Sequence, residues 1–208
     1  PSNPLEPESQ IAITKKVVEE EADLGIIMDG DTDRIFFIDE AGKFITADMS
    51  LLVLARHILK GQPGKGVAYT VNCSKAVPEF IEKMGGIPLR SAVGFVNAIA
   101  AAEKGGGVLS GELSAHYAFK KGDFFADSGF IAFLIVLQIL SESGKKFSEI
   151  IKEFNIYVSS GEINLEIKNI PEVIKKIKET YKDGKQDELD GLTVLYKDWW
   201  FLVRASNT

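Results

Sequence analysis

Over the first two thirds of the chain, short apolar blocks alternate with stretches of helical period. Residues 8–22 place apolar side chains at Ile13, Val17 and Val18 and predict a helix, with Ser9 as its cap. LGIIM (24–28) has the pattern of a short buried strand. The polar loop DGDTDR follows it, then a strand at IFFI (35–38), a turn at Ala41-Gly42 and a short strand at Phe44 and Ile45. From residue 48 onward the alternation is regular. Helices are expected at 48–59, 75–84, 96–104 and 128–141, and strands at 66–71, 87–89 and 107–110. The expected fold class is therefore α/β, with a mixed, mostly parallel sheet flanked by helices.

The pattern changes after Phe154. EINLEI (162–167) alternates like a half-buried strand, and Pro171 opens a Lys-rich amphipathic helix that runs to Tyr181. Residues 183–190 read as a polar linker, and LTVLY and WWFLVRAS as two closing strands. These shifts predict three parts: the end of a preceding α/β domain over 1–42, a complete α/β domain over 43–154, and an incomplete α+β domain over 155–208. The opening, PSNPLEPE, reads as a loop, so the chain is expected to continue a longer polypeptide.

Composition narrows the function. A net charge of -6 argues against general attraction to nucleic acid or to an anionic membrane. It leaves room for a small anionic substrate, because a few basic groups can share one cleft. The longest apolar run, residues 130–140, is far shorter than the roughly 20 residues of a membrane span. Cys73 is the single cysteine, which excludes an internal disulfide and a cysteine-based zinc cluster, and suits a cytoplasmic location.

Three loops carry candidate chemistry. In Asp29-Gly30-Asp31-Thr32-Asp33-Arg34, carboxylates at alternate positions after an apolar strand can converge on one hard cation if the loop curls. Three like charges are costly to crowd unless a divalent ion neutralises them. A solvated acidic turn is the plainer reading. An EF-hand is a further one, with Glu40 at its twelfth position, but Arg34 stands where that loop needs Gly and strands flank it. A phosphatase of the haloacid dehalogenase type would instead make Asp29 a nucleophile. The second loop, Gly111-Glu112-Leu113-Ser114-Ala115-His116, sets a carboxylate, a hydroxyl and an imidazole at spacings that can bracket sugar hydroxyls, or is an ordinary polar loop. The third, Arg204-Ala205-Ser206-Asn207-Thr208, offers a guanidinium, hydroxyls and an amide that could cradle a phosphate.

In this order and together, DGDTDR, GELSAH and RASNT resemble the α-D-phosphohexomutase family, most closely its phosphomannomutase/phosphoglucomutase branch. The resemblance covers nearly the whole chain and implies its C-terminal part, without the phosphoserine domain. Such enzymes have four domains around a cleft. They move a phosphoryl group between the 1- and 6-hydroxyls of a hexose through a bisphosphorylated intermediate. By resemblance, Asp29, Asp31 and Asp33 are expected to bind Mg²⁺, and Arg34 to lie near the phosphoserine. Glu112, Ser114 and His116 are expected to bind the sugar of a hexose phosphate, mannose or glucose 1- or 6-phosphate. Arg204, Ser206, Asn207 and Thr208 are expected to bind its phosphate. No residue matches the family's serine loop, so the isolated chain is expected not to turn over. A non-catalytic metal or sugar-phosphate binding module is the other reading. Three positions depart from the family pattern: Phe95 for the usual His of a Gly-His pair, Ala115 for Gly, and Asn72 where some bacterial members have Lys.

Other residues carry plainer expectations. His57 is expected to pack on its helix, Cys73 to be a small strand-end residue, and Lys175, Lys176 and Lys178 to form a solvated face. Trp199 and Trp200 are expected to alternate across a strand.

Overall fold

The computed structural model describes residues 4–205. It divides into two compact units, Pro1–Val158 and Ser159–Thr208.

The first unit opens with helix α1 (Pro7–Glu19), which starts at Pro7 rather than being capped by Ser9. Proline at the first helical turn loses no hydrogen bond, since that N–H has no intrahelical partner. An antiparallel sheet follows, made of β1 (Leu24–Met28), β2 (Ile35–Asp39) and β3 (Phe44–Ile45) in that order. All five residues of β2 are buried. Helix α2 (Ala47–Leu59) buries Leu51, Leu52, Val53 and Leu54 completely, which fits a helix apolar nearly all round. Each of these side chains contributes roughly 1.5–3 kcal/mol by leaving water.

Next come β4 (Gly66–Thr70), α3 (Ala76–Lys83), β5 (Ile87–Ser91), α4 (Phe95–Lys104) and β6 (Gly107–Gly111). The strand order β5-β4-β6 is parallel throughout, with β4 central and fully buried. The chain steps from β4 to β5 in one direction and from β5 across to β6 in the other. Right-handed crossovers therefore place α3 and α4 on opposite faces of the sheet. The loops after β4, β5 and β6 then share one sheet edge, where α/β folds bind ligands.

Two antiparallel strands that the sequence pattern did not predict, β7 (Tyr117–Lys121) and β8 (Phe124–Asp127), extend this sheet beyond β6. They turn at Gly122, whose φ of 61° is easy only for glycine. The sheet is thus mixed, flanked by helices, as expected. Helix α5 (Gly129–Ser143) follows, its N-terminus capped by Ser128 Oγ, which accepts from the Ile131 N–H at 3.2 Å. A six-residue helix, α6 (Phe147–Lys152), also escaped the sequence reading and packs Phe147 edge-on to Phe37.

In the second unit, α7 (Ile170–Thr180) begins at a cap formed by Asn169. An antiparallel sheet follows, with order β11-β10-β9, from β9 (Lys185–Asp187), β10 (Leu192–Leu195) and β11 (Trp200–Val203). The stretch read as a polar linker therefore contains β9. The strand expected at 162–167 does not form. Ile163 and Leu165 are exposed, and no described strand lies alongside to complete a ladder. Trp199 stacks face to face on Tyr196 at 4.6 Å. Lys175 and Lys176 are solvated as expected, and Cys73 is buried at the end of the turn after β4.

Candidate functional site: where the acidic loop meets the Glu-Leu-Ser loop

The acidic loop joins β1 to β2, and its closing residues are pinned from outside. The Ile35 N–H donates to Ala115 O at 3.2 Å, and Arg34 and His116 face each other as an isolated antiparallel bridge. Two motifs some eighty residues apart are thereby brought side by side. The start of α5 supports the same spot, because a Cβ on Gly129 would lie 2.8 Å from Thr32 O. Only glycine allows that approach.

Inside the loop, ligand oxygens of Asp29, Asp31 and Asp33 lie within 4.8 Å of one another. The Asp29 side chain is 7% exposed. Asp29 Oδ2 and Asp33 Oδ1 lie 2.7 and 3.5 Å from Arg34 Nε, yet neither buried oxygen receives a hydrogen bond. Burial raises the Asp29 carboxyl. The Arg34 N–H at 3.2 Å, Asp33 and the Arg34 charge outweigh it and hold the carboxyl below its ordinary value. Asp33 moves the other way: burial and the neighbouring Asp29 carboxyl raise it, against the pull of His116. Three clustered hard oxygens with two unsatisfied atoms fit a small divalent ion such as Mg²⁺.

The Glu-Leu-Ser loop follows β6. Glu112 is buried, and burial raises its carboxyl above the ordinary range. Its Oε1 accepts from the Gly94 N–H at 3.0 Å, which ties it to the start of α4. Gly94 has a φ of 119°, a conformation a side chain would strain. Ala115 takes φ 65° in the position where the family pattern has Gly, so the backbone keeps a left-handed turn at some cost. His116 is packed rather than free. Phe95 stacks on its ring at 3.8 Å and 11°. Its Nε2 lies 3.3 Å from Asp33 Oδ2 and 3.1 Å from Asp127 Oδ2, and its Nδ1 lies 3.7 Å from Glu112 Oε2.

The structure thus gathers Asp29, Asp31, Asp33, Arg34, Glu112 and His116, with Ser114 partly exposed on the same loop. Arg204 belongs to the second unit, where it faces Asp190 at 3.5 Å while its buried Nε has no partner. Ser206, Asn207 and Thr208 lie outside the described residues. Sequence reasoning missed Asp127. Its signal was position: a carboxylate between a strand and the Ser-Gly that opens an apolar helix.

The family profile for phosphoglucomutase/phosphomannomutase, alpha/beta/alpha domain III, matches residues 46–157, more than half of the chain. The chain belongs to the phosphoglucomutase/phosphomannomutase family, the α-D-phosphohexomutases. Among its relatives, a phosphomannomutase of Methanocaldococcus jannaschii is 39% identical over 94% of this chain and 43% of its own length. A phosphomannomutase of Escherichia coli K12 is 31% identical over 99% of this chain and 46% of its own. The crystal structure of a family protein from Burkholderia thailandensis superimposes with a TM-score of 0.87 at 30% identity, over 99% of this chain and 44% of that one. The chain spans a little under half the length of these relatives. No described helix is long and apolar enough to cross a membrane.

Proposed function

We propose that the chain supplies the metal-binding and sugar-binding loops of a phosphohexomutase that interconverts hexose 1- and 6-phosphates through a bisphosphorylated intermediate. The observation that carries this reading is the junction of the two loops, with His116 Nε2 3.3 Å from Asp33 Oδ2. Asp29, Asp31 and Asp33 would hold Mg²⁺, which when bound offsets negative charge developing on a transferring phosphoryl group. Arg34, half-exposed beside Asp29, presents its guanidinium to an anionic phosphate. Glu112 keeps Oε1 on the Gly94 N–H, with Oε2 facing His116 Nδ1 at 3.7 Å, and would accept from a sugar hydroxyl. Ser114 adds a hydroxyl donor and acceptor beside it. Stacking by Phe95 fixes the plane of His116, so the ring orients a neighbouring group instead of swinging freely. Arg204, with its unpartnered Nε, is suited to a substrate phosphate.

Transfer between opposite ends of a sugar needs a covalent phosphoryl carrier. No stretch of these 208 residues matches the serine loop of the family, so they are expected to bind without turnover. A coupled assay with glucose 1-phosphate, Mg²⁺ and the 1,6-bisphosphate activator tests this. No sustained turnover is expected; turnover that Asp31→Ala abolishes would contradict it.

A further inference from the structure

Strand β2 starts beside Arg34 and ends at Asp39, roughly 16 Å away at about 3.3 Å per residue. At that far end a cavity of ≈ 230 Å³ opens between the β2–β3 turn and α6. A water molecule takes about 30 Å³ of the liquid, so the space holds roughly seven or eight water-sized groups. It suits a small metabolite and is too small for a nucleotide.

The lining is chemically lopsided. Lys43 and Lys152 both line the cavity, and among the described residues neither ammonium has an ion-pair or hydrogen-bond partner. The acidic groups nearby are already taken. Asp39 Oδ1 accepts from the Ala41 N–H at 3.1 Å and the Lys43 N–H at 2.8 Å, so this carboxylate holds together the turn that carries Lys43. Glu40 accepts from the Ser148 N–H and from Ser148 Oγ. Ser148 gives its only hydroxyl proton to Glu40, so toward the cavity it can only accept, and what it can accept from is a ligand hydroxyl. The Asn155 side-chain amide, also without a partner among the described residues, adds a donor and an acceptor. Buried Ile45 and Ile151 give the wall an apolar part on which a short carbon body can lie.

We propose that this cavity binds a small hydroxylated phosphate monoester, at a site separate from the acidic and Glu-Leu-Ser loops. Both free cations are lysines. These are point charges that can gather round a tetrahedral phosphate, whereas a planar carboxylate favours the fork of a guanidinium. The phosphate sits between Lys43 and Lys152, and the ligand's hydroxyls meet Ser148 and Asn155. The proposal does not depend on the mutase reading above.

Glycerol 3-phosphate is the probe, titrated into the 208-residue chain and followed by amide nuclear magnetic resonance. Lys43→Gln and Lys152→Gln are run alongside it, with Lys121→Gln, at the exposed tip of the β7–β8 hairpin, as a control for general charge. All three lysines are exposed, so the variants should keep the fold. Resonances of residues 39–45 and 148–155 should shift to saturation. Lys43→Gln and Lys152→Gln should each weaken binding by about fivefold, the upper end for an exposed ion pair, and Lys121→Gln should leave it unchanged. Inorganic phosphate, which lacks the carbon body and its hydroxyls, should bind more weakly, and succinate more weakly still. Shifts confined to residues 29–34 and 112–116, binding that both cavity variants leave unchanged, an equal loss in Lys121→Gln, or succinate bound as tightly as glycerol 3-phosphate would overturn the proposal.

Discussion

Two residues record compromises that can be tested one at a time. Ala115 is fully buried at φ 65°. A β-branched residue there adds strain to a conformation already unfavourable to L-residues, so Ala115→Val should cost about 1–3 kcal/mol in denaturant unfolding. Ala115→Gly trades relief of that strain for a lost methyl and should fall within about 1 kcal/mol of wild type. Cys73 is the second case. Burial, then the nearby Asp48 carboxylate, push its thiol up to about 12. The nucleophilic thiolate is therefore scarce at pH 8. A disulfide reagent should modify Cys73 only after unfolding, and rapid labelling of the native chain would show that the turn after β4 opens. The expectation of a small packing residue at Cys73 held, although it sits in the turn after β4 and not at the strand's end. Asp127 was missed because its partner, His116, comes beside it only when the β7–β8 hairpin folds back.

Elements that were long or strongly periodic were legible; short ones were not. The βαβ alternation survived because β4 and α2 are buried almost throughout. The β7–β8 hairpin was missed because exposed Lys120 and Lys121 break the apolar alternation. The six residues of α6 are too few for a helical period to show. Residues 162–167 had the period of a strand, but period alone cannot supply a neighbour to hydrogen-bond. Two joints between elements matter most. Glu40, after β2, accepts from the Ser148 N–H at 3.2 Å and from Ser148 Oγ, at the start of α6. Burial raises Glu40, but these bonds outweigh it and hold the carboxyl below its ordinary 4.5. A depressed carboxyl stabilises the fold above its unfolded value, and that contribution disappears as pH falls through the folded value. Glu40→Gln should lose about 1.5–3 kcal/mol near neutrality, with the gap to wild type closing below pH 4.5. A gap independent of pH would rule out the charge as its source. Gly129 is the other joint. Alanine normally favours a helix by about 1 kcal/mol over glycine. Here its Cβ would meet Thr32 O at 2.8 Å, so Gly129→Ala should instead destabilise, by about 1–3 kcal/mol, and weaken cation binding. Stabilisation in a thermal melt would remove this helix start from the support of the loop.

At the scale of the molecule, the three motif loops were legible because each follows a strand and concentrates groups that are costly to cluster without a ligand. What sequence could not supply was their adjacency. The acidic loop and the Glu-Leu-Ser loop meet through the bridge between Arg34 and His116, and that contact makes one site of two motifs. The most direct test is an amide nuclear magnetic resonance titration with Mg²⁺, run on wild type and Asp31→Ala. Resonances of residues 29–34 and of residues 112–116 should shift together in wild type, with a common dissociation constant, and neither set should respond in Asp31→Ala. Shifts confined to residues 29–34, or shifts that persist in Asp31→Ala, would contradict the joined site.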